Sequence, residues 1–320
     1  MVDFRYHLVS LVSVFLALAV GIILGAGPLQ NSIGNTLSGQ IDTLRESRDS
    51  LRDELSATQE QLAGSDSALD VAGGELLPNT LTGRNIAIVV LPGVDSDAVS
   101  QMIESLELAG ASVSGQVTLT DAYTSSDKAT YRGAFANQVS EYIENLPKNP
   151  TNDQVVGSAV DYVLRSGTGN ENAKVLLGSL TADDDALLKV DREITDPADA
   201  IVVVAPETLY PVDSDVTASD KTEIESQTSI YTQMFSQIAS RGATVGYGRA
   251  LNDDDLLLSL RGTNDGSTVD SIGTTPGRIN VPLAVASEIT GKQVALGSQQ
   301  GAKAPLGDKI DAQASSQDGK

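Results

Sequence analysis

The chain has 320 residues, with 43 acidic against 21 basic side chains, a formal net charge of −22 and no cysteine. Thiol catalysis, thiolate metal sites and disulfides are therefore excluded, and the negative balance opposes nucleic acid and anionic lipid, which would both repel it. Aromatics make up 4% with no tryptophan, so a core has to be built from Val, Ile, Leu and Ala, and the length suffices for one large or two small domains.

No Asp, Glu, Lys or Arg occurs between Arg5 and Asp42, and residues 8–24 read LVSLVSVFLALAVGIIL. A spanning helix needs roughly 20 largely apolar residues, which predicts a cytosolic tail over 1–7 and a transmembrane helix over 8–29. A cleaved signal peptide is the competing reading, since the charged region is short and the stretch ends in small residues. Against it, the run exceeds the usual apolar core of a signal, and Pro28 after Gly27 would obstruct cleavage. Counting positive charges decides little, because Arg5 stands before the helix and Arg45, Arg48 and Arg52 lie far beyond it. A short tail ahead of a long acidic domain is the layout of a signal anchor, with the N-terminus in the cytosol, one pass through the plasma membrane and the bulk outside. Ala17, Gly21 and Gly25 fall four apart, as small residues do where two spanning helices approach closely. The plainer explanation is that Gly and Ala are common in such helices.

Residues 30–64 read as a coiled-coil stalk. Leu37, Ile41, Leu44, Leu51, Leu55 and Leu62 keep a seven-residue register with two core positions per heptad, amid polar residues. Arg48 and Thr58 fall on the same seam, where they weaken self-pairing or set register. A single helix packed on the domain is the alternative. Gly64-Ser65-Asp66-Ser67 predicts the helix end, and Gly73-Gly74 with Pro78-Asn79 predicts a linker over 65–79.

The apolar run over 85–91, stopped by Pro92-Gly93, reads as a buried parallel strand. Asp95 or Ser96 caps a helix through Val99, Met102, Ile103 and Leu106, and residues 111–119 form a second strand, completing a βαβ unit. Helices follow around Tyr131 to Ile143 and over 155–164. Residues 200–205 give a strand, 220–240 a helix, 243–247 a strand, 253–260 a short helix, 267–272 a short strand and 281–289 a last helix. This alternation implies one extracytoplasmic α/β domain over 80–298, Rossmann-like, with a mainly parallel sheet and helices on both faces. The polar tail over 299–320 is expected to be disordered.

Chemistry is sparse. The loop Leu91-Pro92-Gly93-Val94-Asp95 carries neither a GxGxxG run nor a P-loop, and Gly246-Tyr247-Gly248-Arg249 lacks the third glycine. The one histidine, His7, lies at the membrane boundary, so the domain has no imidazole base and no histidine metal cluster. Asp183-Asp184-Asp185 and Asp253-Asp254-Asp255 are oxygen donors for a hard cation in one reading and solvated helix caps in the other, which their position beside helical runs favours. Copper's soft ligands amount to one His and three Met, of which Met102 and Met234 fall on apolar helix faces. No catalytic residue and no cofactor is expected.

The run Phe4-Arg5-Tyr6-His7-Leu8-Val9-Ser10-Leu11, continuing as VFLALAVGIILG over 14–25, resembles the actinobacterial MctB family. The stalk, the α/β domain opening near Ile86 and the late Asp270-Ser271-Ile272-Gly273 and Pro276-Gly277-Arg278 segments are similar too, so the resemblance covers nearly the whole chain. It implies one of two functions. Some members carry the name copper transporter and are assigned as channel-forming outer-membrane proteins. A corynebacterial branch, SteB, is linked to cell-envelope integrity and division, with a cytosolic partner (SteA) and septal peptidoglycan hydrolysis. The residues favour the second, because one helix cannot enclose a pore and a barrel needs many strands of alternating polarity. The expectation is a non-enzymatic homodimeric scaffold. It links a SteA-like cytosolic division partner to an extracytoplasmic peptidoglycan hydrolase, engaged through that enzyme's coiled coil. Copper transport is the alternative.

Overall fold

The computed structural model describes residues 4–143, 146–182, 186–209 and 217–312, with residues 26–38 as backbone only. The chain divides into two units, Met1–Ser65 and Asp66–Lys320.

The first unit consists of one helix, α1 (Phe4–Leu76), which continues into the second. Its segment Phe4–Gly25 has a mean hydropathy of 2.7, and those 22 residues span about 33 Å at 1.5 Å per residue, enough for a hydrocarbon core. Ser13 satisfies its hydroxyl on the carbonyl of Val9, one turn back, which makes a polar side chain tolerable there. The helix does not stop at Gly64 as the sequence suggests, and residues 65–76 are helical rather than a linker. Each glycine costs a helix about 1 kcal/mol relative to alanine, but packing within the second unit holds the last turns. Leu77 is buried, Asp70 pairs with Arg278, and the backbone of Gly73 lies so close to Ile279 that a Cβ would meet its side chain. Pro78 then disfavours helix at the residue before it.

The second unit is a seven-stranded sheet in the order β3-β2-β1-β4-β5-β6-β7. Its elements run β1 (Asn85–Val90), α2 (Ser96–Leu108), β2 (Ser112–Leu119), α3 (Ala129–Val139), α4 (Asn152–Ser166), α5 (Glu171–Leu180), β3 (Leu188–Arg192) and β4 (Ala200–Val204). They continue with α6 (Ala218–Ala239), β5 (Thr244–Tyr247), α7 (Leu256–Thr263), β6 (Ser267–Val269), α8 (Thr275–Ile289) and β7 (Ala295–Leu296). Every pairing is parallel except β2 with β3, so the Rossmann-like expectation holds, with an antiparallel edge.

The central strands are apolar without interruption because they are covered on both faces. Ile86, Ile88 and Val90 of β1, with Ala200, Val202 and Val204 of β4, pack under α2 and α8. The alternate residues Ala87, Val89, Ile201 and Val203 pack against α3 to α7. Gly157 of α4 lets α6 come close, since a Cβ there would sit 3.1 Å from the Met234 backbone.

Three elements lie outside the sequence expectation: α5, β3 and β7. β3 is mostly exposed and carries Lys189, Asp191 and Arg192 beside a bulge, features that keep an edge strand from pairing with another chain. α8 begins at Thr275 rather than 281, because Thr274 accepts from the Gly277 amide and Pro276 sits in the first turn, where no hydrogen bond is lost. The strand expected over 267–272 ends at Val269, since Ser271 turns the chain with φ 64°.

The tail is not disordered over 299–312. Gly297 N donates to Ala304 O at 2.9 Å, Lys303 N to Ala295 O at 2.8 Å and Ala312 N to Thr80 O at 3.1 Å. Buried Asn280 donates to Pro305 O at 2.9 Å and accepts from Gly307 N at 3.0 Å. Residues 313–320, like the Asp183-Asp184-Asp185 run, lie outside the described residues.

Candidate functional site

The stalk residues share one helix and are bare. Ile41 is 43% exposed, Leu44 68%, Leu51 65%, Leu55 58% and Leu62 61%. The side chain of Leu37 lies outside the described residues. Fully burying one such aliphatic side chain contributes about 1.5–3 kcal/mol, so a stripe of them is an unpartnered surface at regular spacing. The two polar seam residues are satisfied locally. Arg48 pairs with Asp49 at 2.7 Å and Thr58 Oγ1 donates to Glu54 O at 2.7 Å. In the apolar segment Ala17, Gly21 and Gly25 are exposed, and a Cβ at Gly21 or Gly25 would meet nothing. The backbone at those glycines is open to a close neighbour.

In the α/β unit, the place to look for a ligand is where chain order reverses, at the carboxyl ends of β1 and β4. Three features fill it. The Asp95 carboxylate accepts from Asp97 N at 2.9 Å, so the amino end of α2 holds its own anion where a phosphate would sit. Pro206 lies against Gly93, and Gly248 packs so near that a Cβ would stand 3.1 Å from the side chain of Ala205.

The buried charged groups elsewhere in the unit are structural. Of the Asp253-Asp254-Asp255 run, Asp253 and Asp254 are exposed as expected, whereas Asp255, the residue before α7, is buried rather than solvated. It accepts from Leu251 N at 2.8 Å and Asn252 N at 3.0 Å and pairs with Arg249 at 3.0 Å. Burial pushes its carboxyl up, but the bonds from Arg249 and these amides outweigh that and hold it below the ordinary range. Asp270 is fully buried and accepts from Arg261, Ser271, Ser298 N and Gln299 N. Gly297, at φ 126°, leaves room for that carboxylate where a Cβ would collide. Asp161 pairs with Arg165 at 2.7 Å, and burial still raises its carboxyl. The Tyr123 ring stacks on Tyr231 at 6.3 Å; burial raises both hydroxyls, that of Tyr231 to about 12. Phenols so shifted stay neutral and serve no base. Among the described residues no three His, Cys, Asp or Glu side chains converge as a metal site.

One feature escapes sequence reasoning. A cavity of about 300 Å³ is lined by Leu69, Ala72, Leu76, Ile279, Pro305 and Leu306, with glycines and serines between them. It joins three stretches, two of which the sequence assigns to a linker and a disordered tail. The signal that could have found it is the seam spacing, which continues past Gly64 to Leu69, Ala72 and Leu76.

Comparison with known proteins adds the following. Residues 1–306 match the model of a family described as "Copper transport outer membrane protein, MctB". The chain is 26% identical over 313 residues to the copper transporter MctB of Mycobacterium tuberculosis (strain H37Rv), over 92% of this chain and 95% of the relative. The copper transporter MctB of Mycobacterium bovis gives the same figures, 26% over 313 residues.

Proposed function

The chain belongs to the MctB family of membrane proteins, and from that premise we propose that it is a dimeric, single-pass scaffold without enzymatic activity that regulates peptidoglycan hydrolysis during cell division and envelope maintenance. Its apolar helix anchors it in the plasma membrane with the N-terminus in the cytosol, where it meets a SteA-like division partner. The α/β unit lies outside the membrane. The exposed aliphatic seam of the stalk is the observation that carries this reading, because among the described residues it is an unpartnered surface whose spacing suits another helix. The resemblance to the SteB branch supplies the identity of the partners.

The family description and the names of the mycobacterial relatives favour copper transport as a second reading. Copper as cargo calls for soft or imidazole ligands, and this chain offers one His, three Met and no Cys. A single helix encloses no pore unless several copies assemble.

The test is the mass of the full-length chain in detergent by light scattering, alone and with the coiled-coil segment of a septal peptidoglycan hydrolase. A dimer that binds the segment, and a Leu44→Asp/Leu51→Asp variant that is monomeric and does not, are the expected results. A monomer that ignores the segment and gains thermal stability with copper would restore the transport reading.

A further inference from the structure

We propose that the apolar cavity of the α/β unit is closed by α1 of a second copy of this chain, which extends the pairing seam into the domain; this rests on the dimeric reading above. The seam alternates steps of three and four residues through Ile41, Leu44, Arg48, Leu51, Leu55, Thr58 and Leu62, and the same steps lead through Ser65 to Leu69, Ala72 and Leu76. Those three residues line the cavity.

Within Asp66–Lys320 the helix rests on its own domain through a neighbouring face. Gly73 and Leu77 are buried there, and Asp70 pairs with Arg278. Leu69 and Leu76 sit half-buried at the flank of that face, each with one side against the domain's core, while Ala72 is exposed. Pro305 and Leu306 also line the cavity, and Leu306 is 45% exposed. The domain thus covers one side of the seam and leaves the other open, with apolar space alongside. A parallel, in-register second helix presents the same residues at the same level, so a two-fold pair closes both cavities with one self-complementary patch. Ala72, small and exposed, allows the close approach. A free apolar ligand would also suit the cavity wall, but it would leave Ala72, exposed and in seam register, without a partner helix.

The absence of cysteine makes single cysteines direct reporters. The full-length chain in detergent, carrying Leu51→Cys, Ala72→Cys or Val71→Cys, is oxidised with diamide. Val71 is 74% exposed and off the seam. Disulfide-linked dimers are expected at positions 51 and 72 and not at 71, since Cα atoms more than about 7 Å apart cannot be bridged. Linkage at 51 without linkage at 72 overturns the proposal and leaves the stalk dimer standing, whereas linkage at neither overturns both. In whole cells, Ala72→Cys linked to a different protein and never to itself would give the cavity to that partner and overturn the proposal. Should the cysteine at 72 disturb packing, maleimide labelling of Leu306→Cys decides. It should be slower in the dimer than in the Leu44→Asp/Leu51→Asp background, and equal rates sink the idea.

Discussion

Glu288 shows how a single buried carboxyl shapes the response of the α/β unit to pH. It lies on α8 and accepts a hydrogen bond from the Ser267 hydroxyl on β6. Burial raises its pKa, and the bonds from Ser267 offset that only in part. A carboxyl whose folded value is raised binds its proton more tightly in the folded state than in the unfolded chain. Its contribution is therefore fully present below the ordinary glutamate value of about 4.3 and is lost as pH rises through the folded value. Asp161, raised by burial, acts in the same direction. Asp255 acts oppositely, because its lowered pKa gives stability that is present above the ordinary aspartate value and lost on acidification. Glu288→Gln keeps the shape and removes the proton equilibrium. Urea unfolding at a series of pH values should show a shallower fall in stability above pH of about 4.3 in the variant. Superimposable curves for the two proteins would show that Ser267 compensates the burial in full.

At the scale of elements, the tail over 299–312 is the clearest case of order that composition conceals. Its side chains are mostly small or polar, and its order comes from backbone hydrogen bonds to β7 and to Asn280, with Ile310 and Ala312 packed against the core. Asn280 is fully buried in α8 and its amide bonds both Pro305 O and Gly307 N. Asn280→Ala leaves those two groups without their partner, a loss of about 2–3 kcal/mol. Proteolysis should then cut within 299–312 at least tenfold faster, since about 1.4 kcal/mol is a factor of ten in an opening equilibrium. An unchanged cleavage rate would mean that the contacts to β7, Thr80 and the core hold the tail without Asn280. The same contrast separates what the sequence makes legible from what it hides. β1, α2, β4, α6 and β5 could be read from local pattern, because a doubly covered strand is continuously apolar and an amphipathic helix repeats every three or four residues. The seam residues Ile41 to Leu62 could be read for the same reason. β3 could not, since its charged residues serve a sheet edge rather than a core. The last turns of α1 and the cavity beside them could not either, because Gly73 is held in helix by Ile279, a residue some 200 positions away in sequence.

At the scale of the whole molecule, the proposed pairing would have to overcome charge. Each copy carries −22, and the stalk itself is acidic, with Asp42, Glu46, Asp49, Asp53, Glu54 and Glu60 against Arg45, Arg48 and Arg52. Some of these are already matched within the helix, as in Arg45 with Asp42 at 3.5 Å, and exposed pairs of that kind contribute about 0–1 kcal/mol. In the proposed dimer the attraction would then come from the aliphatic seam, at about 1.5 kcal/mol or more per buried side chain. Two aspartates in each of two copies would remove at least about 6 kcal/mol, roughly a ten-thousand-fold weakening. Salt distinguishes this from pairing by complementary charges. The Debye length falls from about 30 Å at 0.01 M to about 8 Å at 0.15 M, so repulsion between two acidic stalks is screened while apolar burial is untouched. Association of the full-length chain, followed by dilution in detergent over that range, should therefore tighten as salt rises. If it weakens, Arg45, Arg48 and Arg52 are reaching acidic residues across the interface, and the dimer is held by its charges rather than by its leucines.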